Sequence, residues 1–182
     1  PLRPDDRAHV LTRAAQLDKR RGDLAAAERR LREALAAAPT LEEAFEQLDS
    51  LLDDQNRFAD LVAVLVDRAG RVAAVDAKLA LLNRAADLAR ATSDQEAALE
   101  AYARVAELDP TDQACRQAQV EILREVGLGV RLADALAALA QVTESRQERA
   151  DLLCEAARLP HPGSDGEERM AAHYRQAFDA NG

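Results

Sequence analysis

The sequence is short of nearly everything that builds sheets and tight turns. Its 182 residues include 7 Gly, 6 Pro, 3 Phe, 2 Tyr and no Trp. A sandwich or barrel needs turn residues roughly every 8–12 positions and β-branched or aromatic side chains between them. Both are too sparse for that, so all-β and α/β folds are excluded. Cysteine is also scarce. Cys115 and Cys154 stand 39 residues apart, outside any CxxC or metal-ligand spacing, and define no disulfide framework. Lysine is almost missing, with Lys19 and Lys78 the only two among 24 basic residues. We read that as the codon bias of a GC-rich, bacterial genome rather than as arginine-specific chemistry.

Long apolar runs are lacking too. The longest are six residues, Leu61 to Val66 and Ala135 to Ala140, against the ~20 needed to cross a bilayer. No leader-like segment stands at the start. The expectation is a cytoplasmic protein without a membrane partner. Because the chain opens on Pro1 and its one methionine is Met170, it also reads as a piece of a longer polypeptide, from which a targeting signal would be missing. Positive charge is in deficit: 24 Lys+Arg against 33 Asp+Glu give a net charge of −9. That sign opposes phosphate backbones, so nucleic acid is not expected as a partner.

What the chain does have is Ala and Leu, 41 and 26 of them, within 48% hydrophobic and 31% charged residues. This is the balance of a folded helical protein. The helices repeat. A shift of 71 residues carries Ala14, Ala15 and Leu17 onto Ala85, Ala86 and Leu88, Asp23 onto Asp94, Ala27 onto Ala98, and Pro39 onto Pro110. The same shift carries Leu61 and Leu65 onto Leu132 and Leu136, and Leu82, Ala85 and Ala86 onto Leu153, Ala156 and Ala157. Small residues at helix crossings let backbones approach, while Leu or Tyr one turn away fills the hollow between pairs. Asp23, Asp94, Thr111 and Asp112 stand where helices begin and are expected to cap them. Leu61 to Val66 has strand-like composition, yet Leu61 and Leu65 keep helical spacing, and helix is expected there.

Leu11, Ala14, Ala15, Gly22-Asp23-Leu24, Ala27, Leu31, Ala34 and Pro39 together resemble a tetratricopeptide repeat (TPR), as do Leu82, Ala85, Ala86, Asp94, Ala98, Tyr102 and Pro110. The resemblance implies an all-α, right-handed α-solenoid of about five antiparallel helix pairs, with units near residues 8–41, 42–78, 79–112, 113–149 and 150–182. It places Phe45, Phe58, Tyr102, Tyr174 and Phe178 at core positions. Matching Tyr174 requires an extra residue after Pro160-His161-Pro162-Gly163. Stability is expected from the stacking of neighbours.

Chemistry is hard to find. His9, His161 and His173 lie three or four residues from no other His or Cys, so no helical metal pair exists. The nucleophile elbow, the phosphate-binding loop and the dinucleotide fingerprint are absent. Both cysteines read as small packing residues. No cofactor, no metal and no enzymatic activity are expected.

The resemblance implies instead a protein-interaction scaffold that takes a partner protein or peptide along the polar stripe of the first helices, on the concave face. That stripe is His9, Thr12, Arg13, Gln16, Lys19 and Arg20 in the first unit, and Glu43, Glu46, Gln47, Ser50, Asp53 and Asp54 in the second. It continues with Asn83, Arg84, Asp87 and Arg90 in the third and includes Glu121 in the fourth. Its charge is banded: basic, then acidic, then mixed. The carboxylate clamp of chaperone-binding family members is not matched, since Thr12, Gln16, Gln47 and Ala80 stand at its positions and only Arg84 agrees. The other reading is a regulatory or structural repeat segment of a multidomain enzyme or of a self-associating assembly.

Overall fold

The computed structural model describes residues 3–160 and 165–181. Among these residues there are ten helices and no strand: α1 (Pro4–Arg21), α2 (Leu24–Ala37), α3 (Glu42–Asp54), α4 (Phe58–Arg71), α5 (Val75–Ala91), α6 (Gln95–Leu108), α7 (Gln113–Val126), α8 (Gly129–Val142), α9 (Arg146–Arg158) and α10 (Gly166–Asn181). The fold is a helical repeat, and every helix start obeys the 71-residue shift. Pro4, Val75 and Arg146 open corresponding helices, as do Leu24, Gln95 and Gly166, Glu42 and Gln113, and Phe58 and Gly129. α10 therefore starts in register, without the inserted residue expected from Tyr174. His161, Pro162 and Gly163 lie outside the described residues.

The turns repeat as faithfully as the helices. Four residues among those described have positive φ: Gly22 and Ser93, Asn56 and Gly127. Each pair is one shift apart, so the same left-handed turn is made once with Gly and once without. In the first, Gly22 N–H donates to Lys19 and Asp23 N–H to Asp18; in its counterpart, Ser93 donates to Arg90 and Asp94 to Ala89. These bonds satisfy the last carbonyls of α1 and α5. The expected caps form: Asp23 accepts from Ala26 N–H at 2.9 Å, Asp94 from Ala97 at 3.2 Å and Asp112 from Cys115 at 2.9 Å. Thr111 does not cap a helix. Its hydroxyl and N–H both donate to Asp109, which holds that carboxyl below the usual range. Leu61 to Val66 is helical, within α4.

The chain divides into two compact units, Pro1–Ala98 and Leu99–Gly182, with the boundary inside α6. In the first unit α1 packs on α2, α2 on α3, α3 on α4 and α4 on α5; in the second, α7 packs on α8, α8 on α9 and α9 on α10. The repeat's small residues are the buried ones: Ala15, Ala86 and Ala157, Ala27 and Ala98, Ala85 and Ala156. Leu61, Leu65, Leu132 and Leu136 are buried as well. Two of the five aromatics depart from expectation. Phe45 and Tyr102 are buried and Phe58 is half-buried, but Tyr174 is 44% exposed and Phe178 79%. With α10 in register, the counterpart of Tyr102 is the half-buried His173, and Tyr174 is turned about 100° away along the helix.

Polar side chains fasten the first unit. Buried Asp18 pairs with Arg30, joining α1 to α2 at 3.2 Å. Glu28 on α2 accepts from Arg32 at 2.9 Å and from Arg57, which also donates to Asp60 at 2.7 Å. The Arg57 hydrogen bond holds the Glu28 carboxyl below its ordinary value, despite a desolvation that acts the other way. A depressed folded value means that this contribution is present above the unfolded carboxylate pKa and is lost as pH falls through the folded one. Glu28→Gln is therefore expected to be less stable than the parent near pH 7, with the gap closing as the pH falls below the ordinary carboxylate range. Urea midpoints across that range check it, and a gap independent of pH contradicts it.

Candidate protein-interaction surface

In the first unit, three polar contacts lay the first helices side by side. Gln16 on α1 donates to Glu43 on α3 at 3.1 Å, Lys19 on α1 pairs with Asp54 on α3 at 3.2 Å, and Arg84 on α5 holds both oxygens of Asp49 on α3 at 2.9 Å. The basic and acidic bands thus meet each other before they meet anything else. Gln47 reaches back to Glu43 at 3.4 Å. Arg84, the one residue that fits a carboxylate clamp, has its guanidinium occupied by Asp49.

These contacts divide the expected stripe. Gln16, Lys19, Glu43, Asp54 and Arg84 fasten one helix to another, and Gln47 bonds within α3. Arg13, Arg20, Glu46 and Asp53 are exposed and make no ion pair among the described residues. Asn83 is half-buried on α5, and Asp87 and Arg90 are exposed on the same helix. Thr12 leaves the stripe: it is fully buried, its hydroxyl donating to the Ala8 carbonyl at 2.8 Å. His9 is exposed beside it. In the second unit Glu121 accepts from Gln117 at 3.3 Å, and Arg124 on α7 holds Glu155 on α9 at 2.7 Å. A first helix tied to the next first helix by an arginine and a carboxylate is thus common to both units.

The sequence reading missed Asp49 and Glu155 because neither lies on the stripe itself. A signal existed. Lys19 and Asp54, and equally Asp49 and Arg84, are opposite charges 35 residues apart, about one helix pair. Exposed pairs of this kind contribute ~0–1 kcal/mol each, so their main effect is to fix geometry.

The remaining chemistry is sparse. Among the described residues no group of three or more His, Cys, Asp or Glu could hold a metal ion, and no helix is long and apolar enough to cross a membrane. Cys115 is buried in α7 with its thiol donating to the Tyr102 carbonyl at 3.2 Å. Burial, reinforced by Asp112, pushes that thiol up to about 11, so it stays protonated at neutral pH and is a packing group rather than a nucleophile.

No protein-family model matches the chain, and no curated protein is significantly similar to it in sequence. Solved structures to which the chain is similar include proteins described as TPR proteins. YrrB, a TPR protein with an unusual peptide-binding site, is 15% identical over 93% of this chain and 84% of its own, with a TM-score of 0.43. MamA from Desulfovibrio magneticus RS-1 is 15% identical over 97% and 96%, with a TM-score of 0.41. A tetratricopeptide repeat protein from Parabacteroides merdae is 14% identical over 96% and 64%, with a TM-score of 0.45.

Proposed function

We propose that this chain is a non-catalytic interaction scaffold, which binds a partner protein or peptide along the first helices on the concave face of its repeat. One observation carries the reading. Arg13, Arg20, Glu46 and Asp53 stand exposed and uncommitted on helices whose mutual positions are fixed by the Gln16–Glu43, Lys19–Asp54 and Asp49–Arg84 contacts. Helices fixed before binding need no ordering when a partner arrives, so that only the side chains lose freedom, and the arrangement of their charges gives register and association rate more than raw affinity. A partner that suits them carries a basic segment for Glu46 and Asp53 and an acidic one for Arg13 and Arg20. Asn83, Asp87 and Arg90 extend the surface along α5; in the second unit, taken by itself, Glu121 stands on α7 one shift after Ser50. The net charge of −9 favours protein over nucleic acid. The peptide-binding site named for YrrB is in keeping with this role.

Affinity capture from a cell lysate, comparing the parent chain with Glu46→Lys/Asp53→Lys, tests the reading. Neither residue fastens helices, so both proteins fold alike. A protein retained by the parent and at least about tenfold depleted on the variant is the expected result, tenfold being ~1.4 kcal/mol. Equal retention by both, or none by either, contradicts it.

A further inference from the structure

One arginine of the second unit is left over from the packing. Arg116 on α7 is half-buried, its Nε is buried with no acceptor, and its guanidinium makes no ion pair among the described residues. Asp112, one turn back on the same helix, has its carboxylate engaged at the Cys115 N–H. A buried guanidinium N–H without an acceptor is costly, so the position calls for an anion from elsewhere.

The first unit shows how such a place is filled when the chain supplies the anion itself. There Arg68 stacks on Phe45, the residue one shift before Arg116, and is held by Glu42 and by the Pro39 and Thr40 carbonyls. One shift on, Glu42 becomes Gln113 and Arg68 becomes Leu139. The second unit therefore has a cation at this place and no carboxylate to meet it.

Arg116 lines a groove of about 380 Å³ whose apolar part is Leu99 and Ala103 of α6, Leu123 of α7, and Ala135 and Ala138 of α8. All of these belong to the second unit. Arg131 adds a second cation, and the lining carboxylate, Asp134, is paired with Arg169 of α10. The groove thus presents positive charge beside apolar surface in a chain whose net charge is −9. From Arg131 to Ala138 it follows about 10 Å of helix, the length of roughly three extended residues.

We propose that this groove takes a short extended segment of another protein, in which a large apolar side chain lies two positions from an acidic one. In an extended chain such residues share a face. The apolar side chain fills the groove against Leu99 and Leu123, and the carboxylate meets Arg116 in a charge-assisted hydrogen bond. The site is separate from the surface proposed above, because Arg116 lies five residues, and so about 140° around α7, from Glu121. Failure of either proposal leaves the other standing.

The test uses the whole chain, isotope-labelled and titrated with the peptide acetyl-Gly-Glu-Ser-Phe-Ser-Glu-Gly-amide. Proton–nitrogen correlation spectra show arginine Nε–H signals beside the amides, and the Arg116 signal is the one missing from Arg116→Met. The expected result is a saturable shift of that signal and of the amides around Gln119 and Ala135. Binding by Arg116→Met is expected to be about tenfold weaker or more, as is binding of a peptide with Lys in place of both Glu. Urea unfolding separates a ligand-binding arginine from a structural one: with no internal partner to lose, Arg116→Met is expected to unfold at a midpoint no lower than the parent's. No saturable shift at millimolar peptide, shifts confined to α1, α3 and α5, or equal binding of the lysine peptide overturns the proposal. So does undiminished binding by Arg116→Met, and a midpoint well below the parent's assigns Arg116 to the fold and overturns it as well.

Discussion

Leu65→Ala is expected to destabilise the fold by about 2–5 kcal/mol, and Leu136→Ala by a comparable amount. Both leucines are fully buried, they are one 71-residue shift apart, and each sits one turn after a second buried leucine, Leu61 or Leu132, and one turn before a buried alanine, Ala69 or Ala140. The cost has two parts: the lost transfer energy of the removed methyl and methylene groups, and the void left between helices whose alanines already hold them at close approach. Because a helix pair buries its apolar face only against its neighbours, the loss is felt beyond the pair that carries it. Urea unfolding of each variant gives the two numbers. A cost below about 1 kcal/mol at one site with the full cost at the other contradicts structural equivalence of α4 and α8.

Arg68→Ala is expected to cost about 2–4 kcal/mol, a large effect for a charged residue. Arg68 is buried in α4, donates to the Pro39 carbonyl at 3.1 Å and the Thr40 carbonyl at 3.4 Å, pairs with Glu42, and lies 4.7 Å from the centre of the Phe45 ring. It thereby ties α4 to the turn between α2 and α3. Truncation leaves two carbonyls without their donor and the face of Phe45 bare. Arg68→Met keeps much of the packing and is expected to lose less, since a hydrophobic replacement of similar volume avoids the desolvation of a buried cation. Thermal or urea unfolding of the two variants checks the order. Equal and small losses for both contradict the role assigned to this side chain.

Arg68 also shows where the sequence stops being readable. Its counterpart one shift on is Leu139, and that of Phe45 is Arg116. The second unit thus places its arginine where the first has its phenylalanine, and its leucine where the first has its arginine. An alignment of like with like passes over both positions, and only burial reveals the first-unit pair. The periodic part was legible because it rests on small residues that cannot be exchanged without pushing helices apart: Ala15, Ala86 and Ala157 fixed the register and the number of pairs. Helix starts were placed one turn late in three units. The opening turns at Pro4, Val75 and Arg146 precede those small residues and carry no repeated motif. In α10 the motif misled, because matching an aromatic to Tyr102 selected Tyr174, whereas the register set by Gly166 selects His173.

The candidate surface was legible in outline and not in use. Helical spacing found the polar stripe of α1, α3 and α5, but residue type alone does not tell a charge that faces a partner from one that faces the next helix. Lys19 and Asp54, read as parts of separate bands, are bonded to each other, and Arg84 is taken by Asp49. The distinction depends on distances between helices, which the sequence encodes only through pairs of opposite charge one helix pair apart.

The function proposed is recognition of a protein partner by the uncommitted charges of the first helices. Its most direct measurement is the calorimetric affinity of the captured partner for three proteins: the parent chain, Glu46→Lys/Asp53→Lys on α3, and a control with the same change of charge on exposed positions of α6, Glu100→Lys/Glu107→Lys. The expected result is a loss of about tenfold or more for the α3 variant, attenuated at high salt, with the α6 control close to the parent. Equal losses for the two variants reduce the effect to net charge, and together with an unchanged affinity for the α3 variant they are the results that contradict it.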